Sequence, residues 1–161
     1  VAMLHGTERR ALPHGAPRRL TGSDEGFELF PSYSRDGKRI VYVSWTDDGM
    51  GIIRTVSASG GGGSTVTGTP GVYRRPRYSP DGRTIVFEKG ASGDRISGRY
   101  AEAPGVYRIP AGGGAMTRVS ADGANPHFGD DNNRLFLSVF EDRLLKLISV
   151  DLNGEARRVH A

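Results

Sequence analysis

The fold of this chain is decided by residues 76–87, which read PRYSPDGRTIVF. The same pattern occurs earlier, where residues 31–42 read PSYSRDGKRIVY, and later, where residues 126–137 read PHFGDDNNRLFL. The prolines that open the three copies are 45 and 50 residues apart. This period fits a unit of four β-strands, as in a propeller blade, and it is too long for a leucine-rich repeat. The sequence therefore predicts a tandem repeat of β units.

Each copy contains the parts of a β-hairpin. An aromatic residue two positions after the proline (Tyr33, Tyr78 or Phe128) is predicted to end the first strand. An Asp-Gly or Asp-Asn turn follows, and these residues suit a tight turn because Asp bonds back to the chain while Gly and Asn tolerate positive φ. The second strands are mostly continuous apolar runs, which predicts burial on both faces between packed blades. These runs are 40–43, 85–87 and 135–139.

Two further strands complete each unit. The third strands are predicted at 52–56, 106–109 and 145–150, each followed by a turn that contains glycine. The outer strands are predicted at 64–67, 116–120 and 156–159, and their polar composition is typical of an edge that faces solvent. A similar outer-strand pattern at 16–21 precedes the first full unit, so we expect the sequence to begin inside an earlier blade.

The predicted fold class is all-β, with β-propeller blades of four antiparallel strands each. We expect a partial propeller of about three to three and a half blades. The expected boundaries are 1–21 for the end of a preceding blade and 22–68, 69–121 and 122–161 for three blades, which together form one propeller-fragment domain.

The composition excludes several classes of function. The chain has no cysteine, which removes disulfides, thiolate metal sites and cysteine nucleophiles. No apolar run approaches the roughly 18 residues that a membrane-spanning helix needs. The net charge of +4 comes from arginines that are scattered along the chain near acidic loops. This pattern is typical of solvated strand ends, so we expect no nucleic-acid partner.

The residue types that carry catalysis form no recognisable constellation. The four histidines, His5, His14, His127 and His160, fall at turns or termini far apart in the repeat, and none forms a His-x-His pair. The chain has no Gly-x-Ser-x-Gly elbow, and the glycines at 60–63 precede no Lys-Ser or Lys-Thr pair of a phosphate-binding loop. The Asp-Gly pairs lack the spacing of a calcium loop. We therefore predict no catalytic residue, no metal site and no cofactor in this chain.

Two features leave a binding role open. The segment 89–104 of the middle unit is long and rich in glycine and charge, so it is either an insertion without function or a ligand-binding loop. Trp45, the only tryptophan, follows the predicted second strand, where it either packs against the blade or faces a partner.

The repeat resembles that of the TolB-like propeller family, which reads approximately Pro-x-[Tyr/Trp/Phe]-Ser-x-Asp-Gly-[Lys/Arg]-x-[Ile/Leu]-[Val/Ala]-[Tyr/Phe]. Residues 31–42 and 76–87 match this pattern closely, although Arg35 replaces the proline that Pro80 keeps. The third copy departs from it at Gly129 and Asn132. A second family element, Gly-x-x-x-Arg-[Leu/Val]-Thr, is similar to residues 15–21 and 114–120. The resemblance covers residues 15–160 and implies the propeller fold.

The resemblance also implies a function as a non-catalytic module for protein interaction, scaffolding or substrate gating. Residues 105–113 and 124–129 are most similar to propellers fused to a metal-dependent amidohydrolase, which implies a fragment of a larger hydrolase. One alternative is a free-standing TolB-like periplasmic protein of a cell-envelope complex, and a second is the propeller domain of a peptidase. A TolB-like role implies a periplasmic or secreted location, and nothing in the sequence conflicts with a cytoplasmic one.

An incomplete propeller leaves two apolar blade faces open. We therefore expect a protein partner or a fused catalytic domain, together with self-association through the open blades. The self-association would either complete a ring of roughly six or seven blades or pack two copies face to face.

Overall fold

The computed structural model describes residues 18–22, 26–90 and 103–160. These residues form strands and turns, with no helix among them. Three antiparallel sheets of four strands each confirm the predicted all-β class. Within the described residues, no helix is long and apolar enough to cross a membrane.

Each sheet takes its four strands in chain order, so each is a simple meander. The first blade contains β1 (Phe27–Tyr33), β2 (Arg39–Thr46), β3 (Met50–Ser57) and β4 (Ser64–Thr65). The second blade contains β5 (Tyr73–Tyr78), β6 (Thr84–Lys89), β7 (Gly105–Pro110) and β8 (Thr117–Ser120). The third blade contains β9 (Ala124–Phe128), β10 (Arg134–Glu141), β11 (Leu144–Asp151) and β12 (Arg158–Val159).

The first strand of each blade ends at the predicted aromatic residue, Tyr33, Tyr78 or Phe128. The turns that follow in the first two blades share one set of hydrogen bonds. In the second blade the Ser79 hydroxyl donates to Asp81 Oδ1 at 2.6 Å and accepts from the Thr84 amide at 2.9 Å. Ser34 makes the same contacts with Asp36 and Arg39 in the first blade. The Ser-x-Asp-Gly motif thus closes the hairpin through its own side chains.

A β-bulge recurs in each first strand, immediately before the proline of the repeat. Phe30, Arg75 and Asn125 have φ angles of 54°, 49° and 53°, in the left-handed region. The pairing with the second strand shifts register at these places. A proline disfavours the right-handed helical region for the residue before it. The three prolines are therefore compatible with a bulge at the preceding residue.

The core lies between the blades. Ile85 and Phe87 point from the second blade towards Val41 and Val43 of the first. The intervening residue, Val86, points the other way and packs with residues of the third blade that include Leu135 and Leu137. All of these side chains belong to the second strands that were predicted to be buried on both faces, and all are fully buried. The blades therefore stack side by side through apolar faces.

A glycine-containing turn in each blade packs against the outer segment that precedes that blade. Gly113 of the second blade lies against the Val66 carbonyl oxygen, and Gly154 of the third lies against the Val119 carbonyl oxygen. Gly60 of the first blade lies in the same way against the Leu20 carbonyl oxygen, which also accepts a 3.0 Å hydrogen bond from the Gly61 amide. Leu20 thus occupies the place that an outer strand takes on the other blades.

Residues 18–22 form no strand, although an outer strand was predicted at 16–21. Residues 16 and 17 lie outside the described residues. The side chain of Leu20 packs on the cluster of Ile40, Tyr42 and Val56. The segment therefore covers part of the face that the first blade would turn towards a preceding blade.

Two expectations from the sequence need revision. Trp45 does not follow β2 but lies within it, paired with Phe27 on one side and Gly51 on the other. The outer strands β4 and β12 are only two residues long, shorter than the predicted strands at 64–67 and 156–159. Most of the predicted loop at 89–104 lies outside the described residues.

Candidate functional site

The first strands of the three blades line a shared groove. Strand β5 contacts β1 on one side and β9 on the other. Two concavities lie along these strands, with volumes of 440 Å³ and 270 Å³. We name them together the inner-strand groove. Its main side chains are Tyr33, Arg35, Arg75, Arg77, His127 and Asp130.

Arg77 is the central cation of the inner-strand groove. It lines both concavities from the middle of the three first strands. Its side chain is exposed, and its guanidinium forms no hydrogen bond or ion pair with the described part of the chain. A guanidinium offers five N–H donors in a fork that matches a carboxylate. Arg77 is therefore free to bind an acidic group from outside.

Arg75, in contrast to Arg77, is held in an ion pair within the protein. Its Nη1 lies 3.0 Å from both carboxylate oxygens of Glu88. Glu88 Oε1 also accepts a 2.7 Å hydrogen bond from the backbone N–H of Asn125 in the third blade. The Arg75 guanidinium lies 6.0 Å from the centre of the Phe30 ring of the first blade. Arg75 and Glu88 together thus link all three blades beside the groove.

An ion pair spans the mouth of the groove. Arg35 Nη2 lies 2.9 Å from Asp130 Oδ1 and joins the turns of the first and third blades. Both side chains are largely exposed, so the pair adds at most about 1 kcal/mol to stability. Its contribution is to orient the two turns around the opening.

Aromatic side chains lie along β1 with their rings in solvent. Phe27, Phe30 and Tyr33 are all exposed. The equivalent of Tyr33 in the second blade, Tyr78, is only 7% exposed, whereas Tyr33 is 51% exposed. Of these rings, Tyr33 lines the groove together with Arg77, and tyrosine and arginine are residue types enriched where proteins bind other proteins.

The turn aspartates hold their charge because of their hydrogen bonds. The Ser79 hydroxyl and then the Arg83 amide lower the pKa of Asp81 below its usual value. The Ser34 hydroxyl and then the Lys38 amide lower the pKa of Asp36 in the same way. These carboxylates stabilise turns and are saturated with local donors, so they are not poised for acid–base chemistry.

Two histidines lie closer together than the sequence predicted. His127 and His160 pack on the Phe136 ring, with ring centres 5.6 Å and 5.2 Å from it. The expectation that they are far apart is therefore wrong for this pair, because β9 and β12 bring them to one face of the third blade. His5 and His14 lie outside the described residues. The described residues contain no group of three or more His, Cys, Asp or Glu side chains able to hold a metal ion.

A serine–histidine contact, missed from the sequence, accompanies this stack. Ser149 Oγ lies 2.7 Å from His160 Nε2, and Arg134 Nε donates to the same oxygen at 2.9 Å. The spacing matches a nucleophile and its base. However, Ser149 is fully buried, so a substrate cannot reach it. The contact is a structural network across β10, β11 and β12.

No family model matches this chain. Among curated proteins, the Tol-Pal system protein TolB of Francisella tularensis subsp. mediasiatica (strain FSC147) is 30% identical over 90 residues, which is 56% of this chain. TolB of Francisella tularensis subsp. holarctica (strain OSU18) matches to the same extent. The match spans 19% of the length of each relative.

Solved structures show the same fold. A protein described as TolB from Agrobacterium tumefaciens superposes with a TM-score of 0.65 at 18% identity, over 85% of this chain and 50% of that one. TolB from Acinetobacter baumannii gives a TM-score of 0.61 at 23% identity, over 81% of this chain and 31% of that one. The β-propeller domain of the Trilobed protease from Pyrococcus furiosus gives 0.60 at 13% identity, over 86% and 44%. Three stacked four-stranded blades, together with these similarities, make the chain a partial β-propeller with similarity to TolB.

Proposed function

We propose that this chain is a non-catalytic TolB-like propeller module that binds a protein partner in the inner-strand groove. The observation that carries the proposal is Arg77, which lies in the middle of the groove and whose guanidinium makes no hydrogen bond or ion pair with the described residues. The partner would present an acidic side chain or a chain-terminal carboxylate to Arg77 and an apolar side chain to the exposed rings of β1. The matches to Tol-Pal system protein TolB support an interaction module rather than an enzyme.

The rigid wall behind the groove suits this role. Glu88 and Arg75 fix the three first strands relative to one another, so the backbone positions that carry Arg77 and Tyr33 are set before a partner arrives. A preformed surface loses little conformational entropy on binding. We also propose that the chain holds no catalytic residue, metal or cofactor of its own, in keeping with the buried position of Ser149.

The test begins with affinity capture by the immobilised chain from an extract of its source organism. The captured protein is purified and titrated by calorimetry against the parent chain and two variants. Arg77→Ser should weaken binding about tenfold or more, as expected for a central charged contact. Arg83→Ser is the matched control, since Arg83 is an exposed arginine of the same blade outside the groove. Equal affinity of the two variants would contradict the groove as the binding site.

We make two further proposals about the identity of the parent protein. One is a larger hydrolase, either an amidohydrolase or a peptidase, in which this module scaffolds or gates a catalytic domain. The other is a free-standing periplasmic protein of a Tol-Pal-type envelope complex, which the TolB matches favour. The full gene sequence separates them: a downstream His-x-His barrel supports the amidohydrolase, and a signal peptide with a compact preceding domain supports the envelope protein.

We retain the proposed boundaries at 1–21, 22–68, 69–121 and 122–161 as blade limits. Limited proteolysis followed by mass measurement tests them, because cleavage should fall near 22, 69 and 122 before it falls inside a blade. Early cleavage within β2, β6 or β10 would contradict the division.

A further inference from the structure

Three side chains at one position of the repeat line the inner-strand groove. Ser32, Arg77 and His127 each directly follow the proline that opens a copy of the repeat, one in each blade. All three line the larger concavity, and Arg77 and His127 also line the smaller one. Because the first strand of the second blade contacts those of the other two blades, this position forms a row across the blades. Arg77 therefore shares both halves of the groove with His127.

The hydrogen bond of His127 determines what its ring offers to the groove. Its Nδ1 lies 2.9 Å from the backbone carbonyl oxygen of Asn125. A carbonyl oxygen only accepts hydrogen bonds, so in the neutral ring Nδ1 carries the proton and Nε2 carries a lone pair. A lone pair repels a carboxylate, whereas the protonated ring donates from Nε2 and adds a positive charge. The imidazole is exposed, and its Nε2 makes no hydrogen bond with the described residues.

The charged groups that share the two concavities with His127 are three arginines and one aspartate: Arg35, Arg75, Arg77 and Asp130. Arg75 is paired with Glu88, and Arg35 is paired with Asp130. From β10 the uncharged Phe136 ring stacks on the imidazole, and His160, which follows β12, lies against the same ring. A carboxylate held by Arg77 would add a negative charge beside His127, and a nearby negative charge favours the protonated form of an imidazole.

We propose that His127 is a second binding residue for the carboxylate that the groove takes up, and that it acts only in its protonated form. This inference rests on the function proposed above, in which Arg77 binds the same carboxylate. Arg77 donates at any pH because a guanidinium keeps its charge, whereas His127 adds a donor and a charge only when it is protonated. Proton binding at His127 and carboxylate binding strengthen each other, so the groove binds an acidic partner more tightly as the pH falls.

NMR titration of the isotope-labelled chain with two short peptides tests this at about pH 5.5 and about pH 7.5, since histidine ordinarily changes its charge between such values. Acetyl-Gly-Asp-Gly-amide presents a side-chain carboxylate, and acetyl-Gly-Gly-Gly presents a terminal one. Both carboxyl groups are ionised at either pH. At least one peptide should bind the parent chain about fivefold or more tightly at the lower pH. The peptide that does so identifies the source of the carboxylate.

Three substitutions of exposed histidines isolate the role of His127. His127→Gln should differ by less than about twofold between the two pH values, because glutamine does not titrate. His127→Lys should bind at the higher pH as tightly as the parent chain binds at the lower one, because lysine is charged at both. His160→Gln is the control, since His160 lines neither concavity, and it should keep the pH dependence of the parent chain.

Arg77→Ser separates this inference from the proposed function and should lose binding of both peptides at both pH values. If Arg77→Ser binds them as tightly as the parent chain does, the groove is not the binding site. If Arg77→Ser loses binding while His127→Gln keeps the pH dependence of the parent chain, the groove stands and the role of His127 is overturned. That role is also overturned if neither peptide binds the parent chain at the lower pH.

Discussion

The guanidinium of Arg39 lies 5.0 Å from the centre of the Tyr78 ring while its Nη2 donates a 2.9 Å hydrogen bond to the Gly82 carbonyl oxygen. One side chain of the first blade thus covers both the last residue of β5 and the turn that follows it. Apolar faces hold the blades together, and this contact sets the register at which one blade meets the next.

Arg39→Met should lower the free energy of unfolding by about 1 kcal/mol, because it removes one cation–π contact and one charged hydrogen bond at a partly exposed site. Urea denaturation measures the change. Arg83→Met is the control, since Arg83 is exposed near the same turn and its guanidinium lies over no ring in the described part of the chain. Equal losses in the two variants would show that Arg39 contributes nothing between blades.

Phe87→Ala should be far more disruptive, with a loss of about 3–5 kcal/mol. The Phe87 ring is fully buried between the first two blades, 5.4 Å from the Tyr73 ring and 6.0 Å from the Tyr107 ring. Phe140→Ala removes the same ring from an exposed site and should change stability by less than about 0.5 kcal/mol. Thermal melting of both variants is the measurement, and a tolerant Phe87→Ala would contradict the packing between blades.

Gly154→Ala should destabilise the third blade by at least about 1 kcal/mol, because Gly154 has a φ of 83° and an added Cβ would collide with the Val119 carbonyl oxygen. Gly112→Ala is the control in the equivalent turn of the second blade, where an added Cβ meets nothing within 4 Å. Urea midpoints of the two variants decide the matter. If Gly112→Ala lowers the urea midpoint more than Gly154→Ala does, the close packing of Gly154 on Val119 does not stabilise the third blade as described.

Acid should weaken the fold through the turn aspartates. The pKa of Asp81 is lowered in the folded chain, first by the Ser79 hydroxyl, so the ionised form stabilises the fold at any pH above its unfolded value near 3.8. This stabilisation is lost as the pH falls through the lowered folded pKa. Asp81→Asn should therefore reduce the drop in urea midpoint on acidification from about pH 6 to pH 3.

The serine supplies the control for this pH effect. Ser79→Ala removes the first donor to Asp81 and should also flatten the acid dependence. In the double variant the two changes should not add, because both act on one carboxylate. Additive effects would place the acid sensitivity elsewhere in the chain.

Turn chemistry made the hairpins predictable from the sequence. Strand ends at Tyr33, Tyr78 and Phe128 follow from Ser-x-Asp-Gly or its variant, since that motif can bond only within a tight turn. The bulges at Phe30 and Arg75 were not predictable, because neither residue type favours a positive φ.

The groove could not be predicted from the sequence, because its residues come from strands that are about 45 to 50 residues apart. The pattern gives no sign that Arg77 is free whereas Arg75 is bound to Glu88. The approach of His127 and His160 depends on the register of β12 on β11, which pairs Ser149 with Arg158. A prediction from the residue pattern could place those histidines on their strands but not on a shared face.

The central claim is that three like blades stack through their second strands, and methyl NOE spectroscopy tests it most directly. With selectively labelled valine and leucine methyl groups, Val86 of the second blade should give cross-peaks to Leu135 and Leu137 of the third. Val86 cross-peaks confined to residues of its own blade would contradict the stacked propeller.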